Sequence, residues 1–285
     1  MVNVDNLKRR AQIVSAIRRF FDELGFTEVT TPVRISAPAP EPHIDCPVCG
    51  AAFLRASPEL QMKKLLAMGM DRIYQLGPCF REGEFGSRHN PEFTMIEWYR
   101  RNADYRDIME DTERMIRSLS DSLGLQPPAF GSIGVRDAYL ELAGWDPWLE
   151  WDQDRFDFDM ATKIEPGLPK SPVFLIDYPP QAASLARISP STSDLDLRVA
   201  QRWEFYWQGM ELANCFTELC DGKEQRDRFL AARAERRALG ESDYPLDEEF
   251  LSLLPEIGSA AGVALGVDRL VAILCGARDI HEVMA

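Results

Sequence analysis

Residues 88 to 100, RHNPEFTMIEWYR, alternate in a way that predicts a β-strand. The period of two places Phe93, Met95, Glu97 and Tyr99 on one face and Glu92, Thr94, Ile96 and Trp98 on the other. A strand that only fills a core has no place for Glu97, because a buried carboxylate is costly unless a positive group meets it. The strand therefore predicts a ligand that carries a cation.

The composition is that of a globular protein with an excess of acidic residues. The 285 residues are 45% hydrophobic and 27% charged, which suits one large domain with a sizeable core. The 46 acidic and 32 basic residues give a formal net charge of −14, which opposes general attraction to nucleic-acid phosphates. A nucleic-acid partner would therefore need a local basic patch.

The sequence carries no pattern typical of a membrane span or of export. The most apolar region, residues 262–275, is interrupted by Asp268 and Arg269, and no run of about 18 apolar residues occurs. Charges throughout residues 1–21 argue against a secretory signal. Six scattered cysteines are expected as free thiols, so the predicted location is cytoplasmic.

Apolar spacing and turn residues predict helices interspersed with strands. Helices are expected over residues 7–24, 57–68, 104–123 and 223–239, and at the end of GVALGVDRLVAIL (262–274). Strands are expected in FTEVTTPV (26–33), RIYQLG (72–77), residues 92–99 and WEFYWQGMELANCFTEL (203–219). Residues 144–172 have no clear period and are assigned only as a helical connector. Both helices and tight turns link the strands, which predicts one α+β domain over residues 1–285 with a mixed or antiparallel sheet.

Four cationic side chains lie in or beside loops that flank strands: Arg81, Arg88, His89 and Arg269. A lone arginine is usually solvated, but Arg269 opens an apolar helix, where its guanidinium and the helix dipole can converge on one anion. Neither GxxxxGK[ST] nor GxGxxG follows a strand, so a nucleotide would be held by arginines. Phe93 could then stack on a base, although a phenylalanine in a strand is more often core.

Glu211 and Glu218 lie seven residues apart in an apolar, aromatic segment. A single glutamate usually lies on the protein surface. Two glutamates in such an apolar segment are candidate ligands for Mg²⁺, together with substrate phosphates. The stretch HIDCPVCG offers His43, Cys46 and Cys49, which is one ligand short of a structural zinc site, and free thiols in a turn are the alternative. With three histidines and no GxSxG, a Ser-His-Asp or Cys-His hydrolase is not expected.

Three stretches together resemble the signature motifs of class II aminoacyl-tRNA synthetases: FTEVTTP with the helix before it, FREGEFGSRHNPEFTMIEWYR, and GVALGVDRL. RHNPEFTM and ELANCFTEL are similar to the lysyl-tRNA synthetase branch. The likeness covers nearly the whole chain and implies an α+β class II catalytic core, mainly an antiparallel sheet flanked by helices, without that branch's anticodon-binding domain. SPELQMKKLL, with Ser57 where the lysyl synthetases have alanine, resembles the free-standing elongation factor P β-lysine ligase family.

The resemblance implies a role for each matching position. Arg81 and Arg269 are implied as catalytic phosphate clamps, and Phe93 as the platform under adenine. The other implied ATP contacts are Glu82, Gly83, His89, Asn90, Glu211 and Leu212, with Mg²⁺ at Glu211 and Glu218. The implied amino-acid pocket consists of Ser57, Pro58, Glu59, Glu97, Tyr99, Asn214 and Glu218, with Glu97 and Tyr99 at the distal ammonium. The family usually has a glutamate at the position of Gly83, so either Glu82 or Glu84 replaces it or the backbone makes the contact.

The implied function is an AMP-forming ligation in two steps. ATP and (R)-β-lysine or lysine form an aminoacyl-adenylate, which a lysine of elongation factor P then attacks. Three alternatives stay open: charging of tRNA, which the net charge of −14 disfavours, acylation of a small-molecule amine, and an inactive paralogue that serves as a binding subunit. The helix of the first motif also implies a homodimer.

Overall fold

The computed structural model describes residues 3–190 and 197–284, which contain twelve strands and nine α-helices. The strands are β1 (Thr27–Glu28), β2 (Arg34–Ile35), β3 (Val48–Cys49), β4 (Ala52–Leu54), β5 (Arg72–Phe80), β6 (Glu92–Arg101), β7 (Gly131–Gly134), β8 (Val173–Tyr178), β9 (Ile188–Pro190), β10 (Arg198–Trp207), β11 (Met210–Thr217) and β12 (Ala260–Gly266). The helices are α1 (Val4–Glu23), α2 (Glu59–Ala67), α3 (Tyr105–Ser122), α4 (Val135–Ala138), α5 (Gln153–Asp159), α6 (Glu165–Gly167), α7 (Gly222–Leu239), α8 (Glu248–Ile257) and α9 (Val267–Cys275).

Nine strands form one sheet in the order β1-β5-β6-β12-β11-β10-β8-β7, with β9 also paired to β10. The central pairings are antiparallel, and parallel pairing occurs at the two ends, between β1 and β5 and between β7 and β8. Strands β2, β4 and β3 form a separate small sheet. The prediction of an α+β fold with a mixed, mainly antiparallel sheet is confirmed.

Strand β6 separates the core from a polar face, as its alternation predicts. Ile96 and Trp98 are fully buried in the core that includes side chains of α1, α3 and α9. The Phe21 ring of α1 lies 5.1 Å from the Trp98 ring, measured between centroids. On the opposite face, Tyr99 packs with apolar residues of α2 and α8. The same face carries the buried carboxylate of Glu97 and is called the polar face of the sheet below.

Hydrogen bonds of side chains to the backbone explain where the predicted elements differ from the observed ones. Helix α1 begins three residues earlier than predicted, because the Asn3 side chain accepts hydrogen bonds from two N–H groups of the first turn. Only Thr27–Glu28 of FTEVTTPV forms a strand. The N–H of Thr31 instead donates to the Gln75 side chain at 2.9 Å, so this part of the segment leaves the sheet.

The segment WEFYWQGMELANCFTEL forms the hairpin of β10 and β11. Gln208 and Gly209 connect the strands with φ values of +56° and +71°, and a two-residue turn with positive φ at both positions matches the twist of the strands. Residues 144–172 contain α5 and α6, joined by a π-helical turn at Met160–Ile164, as the helical connector predicted. Among the described residues, no helix combines the length and apolar character needed to cross a membrane.

Candidate active site

The polar face of the sheet carries a cavity of about 420 Å³, called the site cavity below. Strands β6, β11 and β12 contribute Phe93, Leu212 and Ala264 to its lining. Arg81 and Arg269 line it together with Ser57 and Glu59, which lie at the start of α2. Predicted phosphate contacts and predicted amino-acid contacts therefore share one cavity.

Arg81 lies over Phe93, with 5.3 Å between the guanidinium carbon Cζ and the ring centroid. Its Nη1 is 3.5 Å from Oε1 of Glu84. Its Nε is buried and has no hydrogen-bond partner among the described residues. A buried, unpaired guanidinium N–H facing a cavity favours an anionic oxygen as its partner.

Arg269 is held at the start of α9 by backbone carbonyl groups. Its Nε donates to the carbonyl of Arg88 at 3.1 Å, and its Nη1 donates to the carbonyl of Glu211 at 2.8 Å. The preceding residue, Asp268, ties α9 to β6 by accepting a hydrogen bond from the N–H of Thr94 at 2.7 Å. Because carbonyl groups orient the guanidinium without neutralising it, Arg269 retains its full charge for a ligand.

The loop after β5 distinguishes the two acids beside Gly83. Glu84 lines the site cavity next to Arg81, whereas Glu82 is exposed and lies outside the cavity lining. Gly83 has a φ of +76° and also lies outside the lining. The structure therefore does not bring the predicted contacts Glu82 and Gly83 into the cavity, and Glu84 is the neighbouring acid that reaches it.

His89 and Asn90 line the same part of the cavity. Nδ2 of Asn90 donates to the carbonyl of Glu92 at 2.6 Å, which holds the loop against the start of β6. Burial, followed by the charge of Arg269, lowers the pKa of His89 below its usual value. At neutral pH this side chain is therefore mainly the uncharged imidazole.

Glu97 is buried as predicted, with 1% of its surface exposed. The Ser57 hydroxyl donates to Oε1 at 2.5 Å, and the Tyr99 hydroxyl donates to Oε2 at 3.0 Å. Burial, followed by the charge of Glu59, raises the pKa of Glu97 to about 8. Glu97 lies behind Ser57, which lines the cavity. An added ammonium group beside this carboxylate would favour its charged form.

Lys63 of α2, which sequence reasoning missed, lies between two of the predicted acids. Its Nζ is 2.5 Å from Oε1 of Glu59 and also pairs with Glu218. Burial lowers the pKa of Lys63, but the two carboxylates outweigh burial and raise it. Burial raises the pKa of Glu218 to about 8 even with Lys63 beside it. The i, i+4 spacing of Glu59 and Lys63 was the available sequence signal.

Glu211 and Glu218 do not form one site. Glu211 lines the site cavity, whereas Glu218 follows β11 and lines a different, more open cavity of about 820 Å³. Seven residues of extended chain span roughly 20 Å. The described residues contain no group of three or more acidic, histidine or cysteine side chains placed to hold a metal. The prediction that both acids share one cation is therefore not supported, because Glu218 is paired with Lys63.

Residues 2–285 match the family described as tRNA synthetases class II (D, K and N). The chain belongs to this class II synthetase family. Curated relatives named elongation factor P–(R)-β-lysine ligase include those of Proteus mirabilis (strain HI4320), Pasteurella multocida (strain Pm70) and Haemophilus influenzae (strain PittGG). They are 38%, 36% and 35% identical to this chain, each over 99% of this chain and 95% of the relative. The predicted class II core and the predicted amino-acid ligase activity are thereby confirmed.

The site of this class II synthetase fits ATP and Mg²⁺, which enzymes of the class use. The unpaired Nε of Arg81 and the carbonyl-held guanidinium of Arg269 suit phosphate oxygens. The Glu211 carboxylate accepts no hydrogen bond from the described residues. Burial, followed by the charge of Glu204, raises its pKa to about 7. A carboxylate in this state suits a hard cation.

Arg202 and Glu204 of β10 also line the synthetase site cavity and were missed by sequence reasoning. Nη2 of Arg202 lies 2.5 Å from Oε1 of Glu204, and the Tyr206 hydroxyl donates to Oε2 of Glu204 at 2.7 Å. Nε of Arg202 donates to the predicted contact Asn214 at 3.2 Å. The alternation in RWEFYW (202–207) places these polar side chains on one face and could have revealed them.

The remaining predicted residues are placed as follows. Leu212 and Asn214 line the site cavity. Pro58 precedes α2 outside the lining, and the Ser57 hydroxyl accepts a hydrogen bond from the N–H of Glu59 at 2.9 Å. Ser57, one position before the N-cap residue Pro58, therefore contacts the first residue of α2 and also lines the cavity.

The HIDCPVCG stretch forms a turn and β3, an edge strand of the small sheet. The N–H of Cys46 donates to the Tyr244 hydroxyl at 2.8 Å, and Nδ1 of His43 lies 3.4 Å from the Glu241 carboxylate. All six cysteines are free thiols. Since His43 pairs with Glu241 and the described residues hold no cluster of metal-type ligands, the structure gives no support for zinc here.

Proposed function

We propose that the chain activates (R)-β-lysine, or lysine, with ATP and transfers it to a lysine side chain of elongation factor P. The observation that carries this proposal is one cavity lined both by Arg81 and Arg269 and by Ser57, which is hydrogen-bonded to the buried acid Glu97. The names of the relatives support the substrates.

In the first step, the carboxylate of the amino acid attacks the α-phosphorus of ATP and releases pyrophosphate. Arg81 holds the α-phosphate, Arg269 holds the γ-phosphate, and the adenine stacks on Phe93. His89, Asn90 and Leu212 complete the ATP pocket. Mg²⁺, bound at Glu211, would help to neutralise the phosphate charge. Positioning and charge neutralisation can drive such a step without a covalent enzyme intermediate.

The acid-rich part of the cavity selects an amino acid with two amino groups. Glu97 and Tyr99, which lie behind Ser57, bind the distal ammonium. Glu59 lines the cavity, and Glu218 lies behind it; both supply further negative charge, which Lys63 partly offsets. Two cationic groups on one substrate match this excess of carboxylates. Ser57, Pro58 and Asn214 shape the remaining walls of the pocket.

We further propose that residues 1–285 act as one catalytic unit, that two copies pair through the α1 region, and that the enzyme works in the cytoplasm. The free thiols are in keeping with a reducing compartment. Light scattering of the purified protein tests the dimer, for which the expected mass is twice 32.3 kDa.

In the deciding experiment, the protein is incubated with ATP, elongation factor P and either (R)-β-lysine or lysine. The intact mass of elongation factor P is then measured. The expected result is the addition of one lysyl group to elongation factor P, together with release of AMP. Parallel reactions with tRNA and with small amines test the competing acceptors. Alkali-labile charging of tRNA without modification of elongation factor P would contradict the proposal. Absence of amino-acid-dependent exchange between ATP and pyrophosphate would favour a binding subunit.

A further inference from the structure

A second cavity of about 530 Å³, called the side cavity below, adjoins the site cavity. The two cavities share four lining residues: Glu41, Arg202, Glu204 and Glu211. The rest of the side cavity is formed by residues 40–43, by α5, the π-helical turn after it and α6, by the segment from Tyr178 to Leu185, and by α7. A group entering through the side cavity would therefore meet the site cavity at these four residues.

The lining of the side cavity is acidic. Its described residues include six carboxylates and two guanidinium groups, and no lysine. Besides the three acids at the junction, the carboxylates are Asp157, Glu165 and Glu235. An excess of one sign in a concave surface attracts the opposite charge, so this cavity favours a cation over an anion.

Glu41 is held at the junction by its backbone. Arg236 of α7, with 0% of its surface exposed, donates to the carbonyl of Glu41 at 2.6 Å, to the carbonyl of Ile44 at 2.9 Å, and to Oδ1 of Asp45 at 2.5 Å. The Glu41 carboxylate accepts no hydrogen bond from the described residues. The chain thus fixes the position of Glu41 and leaves its carboxylate available.

The charged and titratable groups close enough to interact electrostatically with Glu41 come from several elements: Glu59 and Lys63 of α2, Arg81 after β5, Arg202 of β10, and the Cys46 thiol. Burial, followed by the charge of Glu59, raises the pKa of Glu41 to about 7, while the three cations oppose this rise. A carboxylate with such a proton affinity is mainly ionised just above neutral pH and still binds a proton better than an ordinary glutamate does.

The transfer step of the proposed function requires a base. A lysine acceptor arrives as an ammonium, because its usual pKa is about 10.4. Its nitrogen has no free electron pair for attack until one proton has left. The arginines at the site cavity are permanently charged and cannot accept that proton.

We propose that the side cavity admits the acceptor amine and that the Glu41 carboxylate takes its proton; this rests on the proposed function. The neutral nitrogen attacks the carbonyl carbon of the aminoacyl-adenylate, and the new C–N bond forms. The C–O bond to the phosphate breaks, and its electron pair leaves with AMP. The surplus proton on the amide nitrogen passes to the departing phosphate. Glu41 is then a catalytic residue of the transfer step and not of adenylation.

The test measures adenylation and transfer separately in the variant Glu41→Gln. Adenylation is measured by amino-acid-dependent exchange of ATP with pyrophosphate, and transfer by single-turnover modification of elongation factor P from preformed adenylate. Transfer is expected to fall on the order of 10²-fold, the usual effect of a general base, with a far smaller loss of exchange. In the wild type, transfer should fall as the pH drops below about 7. This dependence should vanish in Glu41→Gln and persist, at a reduced rate, in Glu41→Asp.

The matched control is Glu110→Gln, which removes the same charge from the exposed surface of α3 and should leave the ratio of transfer to exchange unchanged. Equal losses of exchange and transfer in Glu41→Gln, or an unchanged pH profile, would overturn the inference. If wild-type protein forms the adenylate but does not modify elongation factor P, the proposed acceptor is wrong. The same variants are then compared with Nα-acetyl-lysine methylamide as acceptor, where an unchanged transfer rate in Glu41→Gln would still refute the role of Glu41.

Discussion

The two parts of the site cavity are built in opposite ways. Arg81 and Arg269, in the arginine part, are partly exposed and lie beside loops or at a helix start. The acidic part lies behind the lining residues Ser57 and Glu59; its Glu97 and Lys63 are 1% and 2% exposed and lie on a strand and within a helix. Along β6, Phe93 and Glu97 mark these two parts and are separated by roughly 13 Å of extended chain.

The difference follows from what each part must bind. An arginine remains charged in any surroundings, so the guanidinium groups of the arginine part need only to be oriented. Two backbone carbonyl groups orient the guanidinium of Arg269. A carboxylate changes its proton affinity with burial, so Glu97, whose pKa is raised to about 8, needs a bound ammonium in addition to the donors Ser57 and Tyr99 to be mainly ionised at neutral pH. Substitutions in the arginine part should therefore affect the rate most, and those in the acidic part should affect amino-acid binding.

The largest expected effect is that of Arg81→Ala. Removal of a charged donor that faces the developing charge should lower amino-acid-dependent exchange on the order of 10³-fold. The measurement is the initial rate of exchange at saturating substrates. Arg114→Ala, which removes an exposed arginine of α3, is the control and should leave the rate within twofold. Near-normal exchange in Arg81→Ala would contradict the phosphate role and, with it, the contrast between the two parts.

Glu97→Gln should come next, with KM for the amino acid raised about 10- to 100-fold, as expected for a lost hydrogen bond between charged groups. KM for ATP should change little, because Arg81 and Arg269 are untouched. The exchange assay measures both constants. Glu92→Gln is the matched control, since Glu92 is an exposed acid on the opposite face of the same strand. A similar rise in both KM values for Glu97→Gln would mean that Glu97 only supports the fold.

The acidic part also shows how far the sequence alone can lead. Alternation along β6 is local, so it correctly separated Glu97 from Trp98. The i, i+4 spacing of Glu59 and Lys63 indicates their pairing. The burial of Lys63, however, depends on Glu218, and that of Arg236 on contacts more than 190 positions away, so the sequence pattern could not reveal that either side chain is buried. The spacing of Glu211 and Glu218 along one segment suggested that they share a cation. The structure pairs Glu218 with Lys63 instead, and sequence distance alone does not show which partner each acid meets.

A smaller effect is expected where β12 meets the acidic part. Gly262 lies opposite Tyr99, and a Cβ atom there would be 2.1 Å from Cδ1 of the Tyr99 ring. Gly262→Ala should therefore displace Tyr99 from Glu97, lower stability by about 1–3 kcal/mol, and raise KM for the amino acid about tenfold. Urea unfolding and the exchange assay measure these changes. Gly131→Ala, at a position with open space, should change neither quantity. An unchanged KM in Gly262→Ala would separate Tyr99 from substrate binding.

The smallest expected effect is on stability as a function of pH. The folded-state pKa of Glu97, about 8, lies above the usual 4.5, so the folded protein binds this proton more tightly than the unfolded chain. The contribution of Glu97 to stability is fully present below pH 4.5 and is lost as the pH rises through about 8. The melting temperature should therefore fall between pH 5.5 and 8.5. In Glu97→Gln the melting temperature should fall about 2–4 °C less over this pH range than in the wild type. In a chain of this size, that difference corresponds to about 1 kcal/mol in the free energy of unfolding.

That comparison also tests the ligand, because a bound ammonium beside Glu97 would favour its charged form and so reduce the loss of stability at high pH. Saturating (R)-β-lysine should reduce the loss of stability in the wild type and have less effect in Glu97→Gln, while Glu92→Gln should follow the wild type. A pH profile that is the same in the wild type and in Glu97→Gln would show that Glu97 is already charged in the free protein. The acidic part would then be as insensitive to its surroundings as the arginine part, and the contrast between them would rest on exposure alone.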